Sequence, residues 1–168
     1  MAELIVLRLV HIFGAVLWLG SGMFTLFFLQ PAMMEAGPAA AGPIVANLQR
    51  RRAFVILPIV ALLTILSGIR LMMIVSAGSP QWFESPMGRT YSISGALAIL
   101  SFLTAVFIGR PATVRMGKLS QSPVPDGVSN EARAAELRSL QRRATWATQA
   151  AMVLLILAAA GMAVGRYM

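Results

Sequence analysis

The chain contains no cysteine, and that absence excludes disulfides, thiolate metal centres and cysteine-held iron–sulfur clusters. It has a single histidine, His11, and a single lysine, Lys118. Acids are scarce too: six Asp and Glu stand against 14 Lys and Arg, and they fall at the ends of apolar stretches or between them. No carboxylate pair is therefore placed inside an apolar stretch to run general acid–base chemistry. The serines have no adjacent histidine, and no Walker-type phosphate loop occurs. Charged residues make up only 12% of the chain, against about 25% in soluble domains.

What remains is apolar: 58% of 168 residues. Four stretches, 4–29, 53–75, 91–108 and 145–164, reach the roughly 20 residues that span a bilayer. They predict an all-α, integral membrane four-helix bundle forming a single domain over 1–168, with 30–52 and 109–144 as connecting loops. The opening Met1-Ala2-Glu3 and the long first run differ from a signal peptide, so the first stretch is read as a retained helix.

The net charge of +8 is distributed as a topology signal. Ten of the 14 basic residues fall in the two long connections: Arg50, Arg51, Arg52, Arg110, Arg115, Lys118, Arg133, Arg138, Arg142 and Arg143. Positive loops stay in the cytoplasm. Both termini and the short 76–90 connection are then extracytoplasmic, in a multi-pass protein of a bacterial-type inner (plasma) membrane. These basic segments lack interleaved aromatics, which argues against a nucleic-acid partner and leaves the lipid bilayer as the expected one.

Local signals refine this outline. Gln30-Pro31 ends the first stretch, and Gly37-Pro38 with Gly42-Pro43 reads as a small-residue linker. Trp82, Phe83 and Tyr91 are interfacial anchors. Ser92, Ser94, Gly95, Ser101 and Thr104 give the third helix a small, weakly polar surface suited to close packing. A turn-rich segment covers 120–125, after which Ser129 or Asn130 caps a helix that runs into the fourth span. Gly161 and Gly165 have the spacing of a helix-packing motif, which raises a homodimer or a larger membrane complex as candidate assemblies. No fixed-period repeat is visible, only two helical hairpins of similar size.

The chemistry-bearing positions lie on the first helix. Steps of three and four residues place Arg8, His11, Ala15, Trp18, Gly22 and Thr25 on one side, with Leu7, Leu9, Val10, Phe13, Val16, Leu17 and Leu19 elsewhere. Charged and polar groups are expensive in lipid, so the stripe is expected to turn inward. Arg70 and Tyr91 share the outer depth, and Arg8, His11, Arg70 and Tyr91 are expected to converge on one outward pocket. A neutral imidazole can ligate haem iron while arginines hold the propionates. Gly14, Ala15 and Gly22 would admit the macrocycle, with Trp18 or Phe13 on its rim. The second axial position is open between Met72, Met73, Met162, Tyr91, no ligand, and His11 of a second copy. Two other readings stand beside this one: His11 hydrogen-bonds across the bundle while Arg8 and Arg70 snorkel to the headgroups, or it relays protons. The 11 methionines raise copper as a less favoured cofactor, because thioethers bind Cu(I), although methionine is also an ordinary apolar filler.

The run His11-Ile12-Phe13-Gly14-Ala15-Val16-Leu17-Trp18-Leu19-Gly20 resembles the first helix of copper-resistance D (CopD)-like membrane proteins and of HemJ-type protoporphyrinogen oxidases. Arg51-Arg52 and Leu66-Ser67-Gly68-Ile69-Arg70-Leu71 are similar to the second helix of the same group. The resemblance covers mainly helices 1 and 2. It implies b-type haem held by the histidine that maps to His11. The oxidase family also has a lysine in helix 3; this chain has none there, since Lys118 lies in the following connection. The copper-resistance group commonly carries more outer histidines and methionines than this chain.

Overall fold

The computed structural model describes the backbone of residues 1–121 and 129–168, and the side chains of all of these except 38–41, 120 and 121. The described residues are helical and turn segments with no strand. The order is α1 (Ala2–Phe24), a wide π turn (Thr25–Leu29), α2 (Gln30–Arg50), α3 (Ala53–Ser76), α4 (Pro80–Glu84), α5 (Pro86–Thr104), a second π turn (Ala105–Gly109), α6 (Arg110–Gln121) and α7 (Asn130–Val164), closed by a 3-10 turn (Gly165–Tyr167). Four runs, Ala2–Gly37, Ala53–Ser76, Pro86–Leu119 and Asn130–Tyr167, are long and apolar enough to cross a membrane.

The polarity of the fold is that of a protein solvated by lipid. Phe13, Phe28 and Phe107 are 66–68% exposed, while Ser94 and Ser101 are 2% and 1% exposed and Ala147 is fully covered. Water would drive the aromatics inward; lipid does not, so small residues that let backbones approach take the interior instead. This is a multi-pass membrane protein built as a helical bundle.

The connections 30–52 and 109–144 are largely helical: α2 and α6 occupy stretches expected as loop, while the first part of α7 is the helix expected after Ser129. Proline and glycine did not break the chain as read. Pro31 and Pro111 each lie just after a π turn, inside the continuous helical runs Ala2–Gly37 and Pro86–Leu119. The preceding turns widen to absorb the ring, with the N–H of Gln30 reaching Thr25 O and that of Arg110 reaching Ala105 O. Gly37 alone leaves the helical region (φ 76, ψ 172), a conformation open to glycine. Of the turn-rich 120–125 segment, 120 and 121 close α6 and the rest lies outside the described residues. The expected cap is present: Ser129 Oγ accepts from Ala132 N at 3.1 Å and opens α7.

Two hairpins make the bundle. α1 packs on α3 and α5 on α7, while α3–α5 and α1–α7 contacts join the pairs. Ser101 Oγ donates to Ala151 O at 2.7 Å across the second hairpin. Gly14 lies so close to the hydroxyl of Thr64, and Gly161 to that of Ser94, that a Cβ on either glycine would overlap its neighbour.

These contacts reveal a repeat that the sequence concealed. The π turns at 25–29 and 105–109, and the prolines 31 and 111, are each 80 positions apart. The same offset relates Gly14 to Ser94 and His11 to Tyr91. Their partners on the second helix of each hairpin, Thr64 with Gly161 and Gly68 with Gly165, are both 97 apart. The hairpins therefore share topology and register, as parallel repeats related by an axis along the membrane normal do.

Candidate functional site around His11

His11 is half-buried, and its Nδ1 lies 2.8 Å from the main-chain oxygen of Thr64. A carbonyl only accepts, so Nδ1 carries the proton, and in the neutral ring the lone pair is left on Nε2. The same oxygen also accepts from Ser67 Oγ at 3.0 Å. The imidazole is let in by Gly68, where an added Cβ would come within 2.7 Å of His11 Cε1. Thr64, Ser67 and Gly68 thus build the His11 environment, and sequence reading passed over all but the Ser67-Gly68 pair, quoted only for its resemblance. The available signal was a Thr-x-x-Ser-Gly cluster inside an otherwise apolar helix.

The other positions do not gather around it. Among the described residues, no hydrogen bond, ion pair or ring contact joins any two of Arg8, His11, Trp18, Arg70 and Tyr91. Arg8 is exposed rather than inward, and Leu7 and Leu19 take half-buried places instead. The reason is geometric: Arg8 lies at the edge of a face centred near His11 and Trp18, where a long side chain can leave the interface. Phe13 points outward with Val16, Leu17, Gly20, Ser21 and Phe24 along an apolar groove.

Arg70 is engaged by Glu3, with Nη2 at 2.7 Å and Nε at 2.8 Å from Oε1. Its charge already has a counter-charge, which the expected propionate role did not foresee. The signal was an acid in the first turn of α1 and an arginine toward the C-terminal end of α3. Trp18 crosses to the other hairpin and meets Phe102 edge to face, centroids 6.4 Å apart. Tyr91 stacks on Trp82 at 6.4 Å with planes 7° apart, and its ring approaches Gly165. It fills in the second hairpin the station that His11 fills in the first.

Of the candidate second ligands, Met72 and Met162 are half-buried and Met73 is 59% exposed. Among the described residues no group of three His, Cys, Asp or Glu could hold a metal ion. A bare ion needing several such ligands does not match this donor set. A haem would ask less of the protein, one axial imidazole, because the macrocycle brings its own equatorial nitrogens. Comparison with family models, curated proteins and solved structures gives no match.

Proposed function

We propose that this multi-pass membrane protein binds b-type haem through His11 and serves in redox or electron transfer. The observation that carries the reading is the 2.8 Å bond between His11 Nδ1 and Thr64 O. A ligating histidine is ordinarily held in this way, its second nitrogen donating to a carbonyl that fixes tautomer and ring orientation. Bound haem would supply a one-electron couple. Thr64 and Gly68 position the imidazole, and Arg8, exposed and with no ion pair among the described residues, is the basic group left to meet a propionate. The charge distribution supports cytoplasmic placement of the basic segments, extracytoplasmic termini and a bacterial-type inner membrane.

The test is spectroscopic. Protein purified in detergent after expression with adequate haem is expected to give a pyridine haemochromogen spectrum of b-type haem, and His11→Ala to lose it. Haem-free wild-type protein, or haem retained by His11→Ala, rejects the reading.

A second reading, a structural or assembly subunit, is favoured by the close seating of His11 on Gly68, which serves packing alone equally well. Native co-purification with a stable partner, from a protein without haem, supports it. Copper handling through His11 and the outer methionines is the third, and loss of Cu(I) binding on their replacement would mark it.

A further inference from the structure

Away from His11, the structure holds a basic cleft at the other end of the bundle. Met34 of α2 and Arg138, Gln141, Arg142 and Thr145 of α7 line a space of about 330 Å³. Arg138 and Arg142 are one helical turn apart and share a face. Like charges at that spacing repel, and a counter-ion relieves them. Neither guanidinium has a hydrogen bond or ion pair among the described residues, whereas Arg115 is paired with Glu136 and Arg133 donates to Leu119 O.

The floor of the cleft is ordered. Gln30 Nε2 donates to Thr145 Oγ1 at 3.3 Å, tying the start of α2 to α7. That bond leaves the threonine hydroxyl hydrogen available to an acceptor. Gln30 follows the apolar Thr25–Leu29 turn and Thr145 precedes the apolar part of α7. Both elements therefore leave the hydrocarbon at this level, and Trp146, 60% exposed, stands there as an interfacial aromatic. Met34 adds an apolar wall.

We infer that this cleft binds the phosphate of an anionic phospholipid, its oxygens taken by Arg138, Arg142 and Thr145 and its glycerol end resting on Met34. Two unneutralised guanidiniums at headgroup depth supply the charge recognition. The apolar wall at Met34 and the interfacial level marked by Trp146 select a phospholipid over free phosphate.

Native mass spectrometry of the protein released from nanodiscs of mixed phosphatidylcholine and phosphatidylglycerol tests this. Wild-type protein is expected to retain phosphatidylglycerol, and Arg138→Gln/Arg142→Gln to retain about tenfold less. Arg143→Gln removes one charge from another face of α7, as each single variant does from the cleft, and is expected to keep wild-type retention. Circular dichroism of each variant checks that the helices are intact, and the single substitutions Arg138→Gln and Arg142→Gln are each expected to show a partial loss. Equal retention by the double variant overturns the inference. So does a loss on Arg143→Gln equal to that of either single cleft variant, which would make the effect a general basic collar, and so does displacement of the lipid by millimolar inorganic phosphate.

Discussion

Gly68 is the reason His11 can sit where it does. The imidazole occupies the space a Cβ at position 68 would need, within 2.7 Å of His11 Cε1, and from there Nδ1 reaches Thr64 O. The contact joins α1 to α3 at the level where Tyr91 and Gly165 join α5 to α7. A histidine and a tyrosine thus solve one packing problem in two repeated hairpins, and only the histidine brings a metal-binding nitrogen with it.

Gly68→Ala is expected to push the ring away and weaken or break the Thr64 bond, at a cost of about 1–3 kcal/mol as for other overpacked sites. Unfolding in mixed micelles measures it. An unchanged midpoint would show that the ring has room to move.

Ser101→Ala removes the 2.7 Å bond to Ala151 O from the most covered part of the second hairpin. Interhelical bonds of this kind in membranes contribute about 0.6 kcal/mol on average and up to about 1.7 kcal/mol. The high end is expected here because the serine is 1% exposed. The same unfolding assay distinguishes this from no effect.

Ala77 ends α3 in the left-handed region, at φ 49 and ψ 27. An L-residue there carries roughly 1–2 kcal/mol of steric cost that glycine does not. Ala77→Gly is therefore expected to stabilise the protein by about 1 kcal/mol, less what the freer unfolded chain takes back. A lower unfolding midpoint would contradict this.

The absence of native cysteine makes topology directly measurable. With the basic segments inside, Glu84→Cys in α4 should label in intact cells with a membrane-impermeant maleimide. Ser139→Cys in α7 should label only after permeabilisation. The reverse pattern would invert the protein in its membrane.

The spans were legible because a bilayer demands length and apolarity, and composition displays both; Ser129 was legible because a cap has a chemical signature. The inward face of α1 is legible at His11, Ala15 and Trp18 and differs from the expected stripe at Arg8, Leu7 and Leu19. Adjacent positions on a helix differ by about 100°, so a stripe drawn through polar residues follows chemistry rather than the buried face. Segments 30–52 and 109–121 differ from the expected loops because the π turns let the helices run on through Pro31 and Pro111, and a wide turn has no signature in composition. The repeat was invisible for a different reason: its matched contacts pair Gly14 with Thr64 in one hairpin and Ser94 with Gly161 in the other. The small partner has changed helix, so the volume is kept while the letters are exchanged.

The two π turns govern how each long span tolerates a change in chain length. Each accommodates one residue beyond what an α-helix of the same rise would hold. Deleting one residue from 25–29 would return the turn to ordinary α geometry with Gln30 and Met34 still facing α7, whereas a deletion in an α-helical stretch would swing everything after it by about 100° around the helix axis. A single extra position in each hairpin is thus absorbed where it occurs, so that each long span keeps one facing on both sides of it.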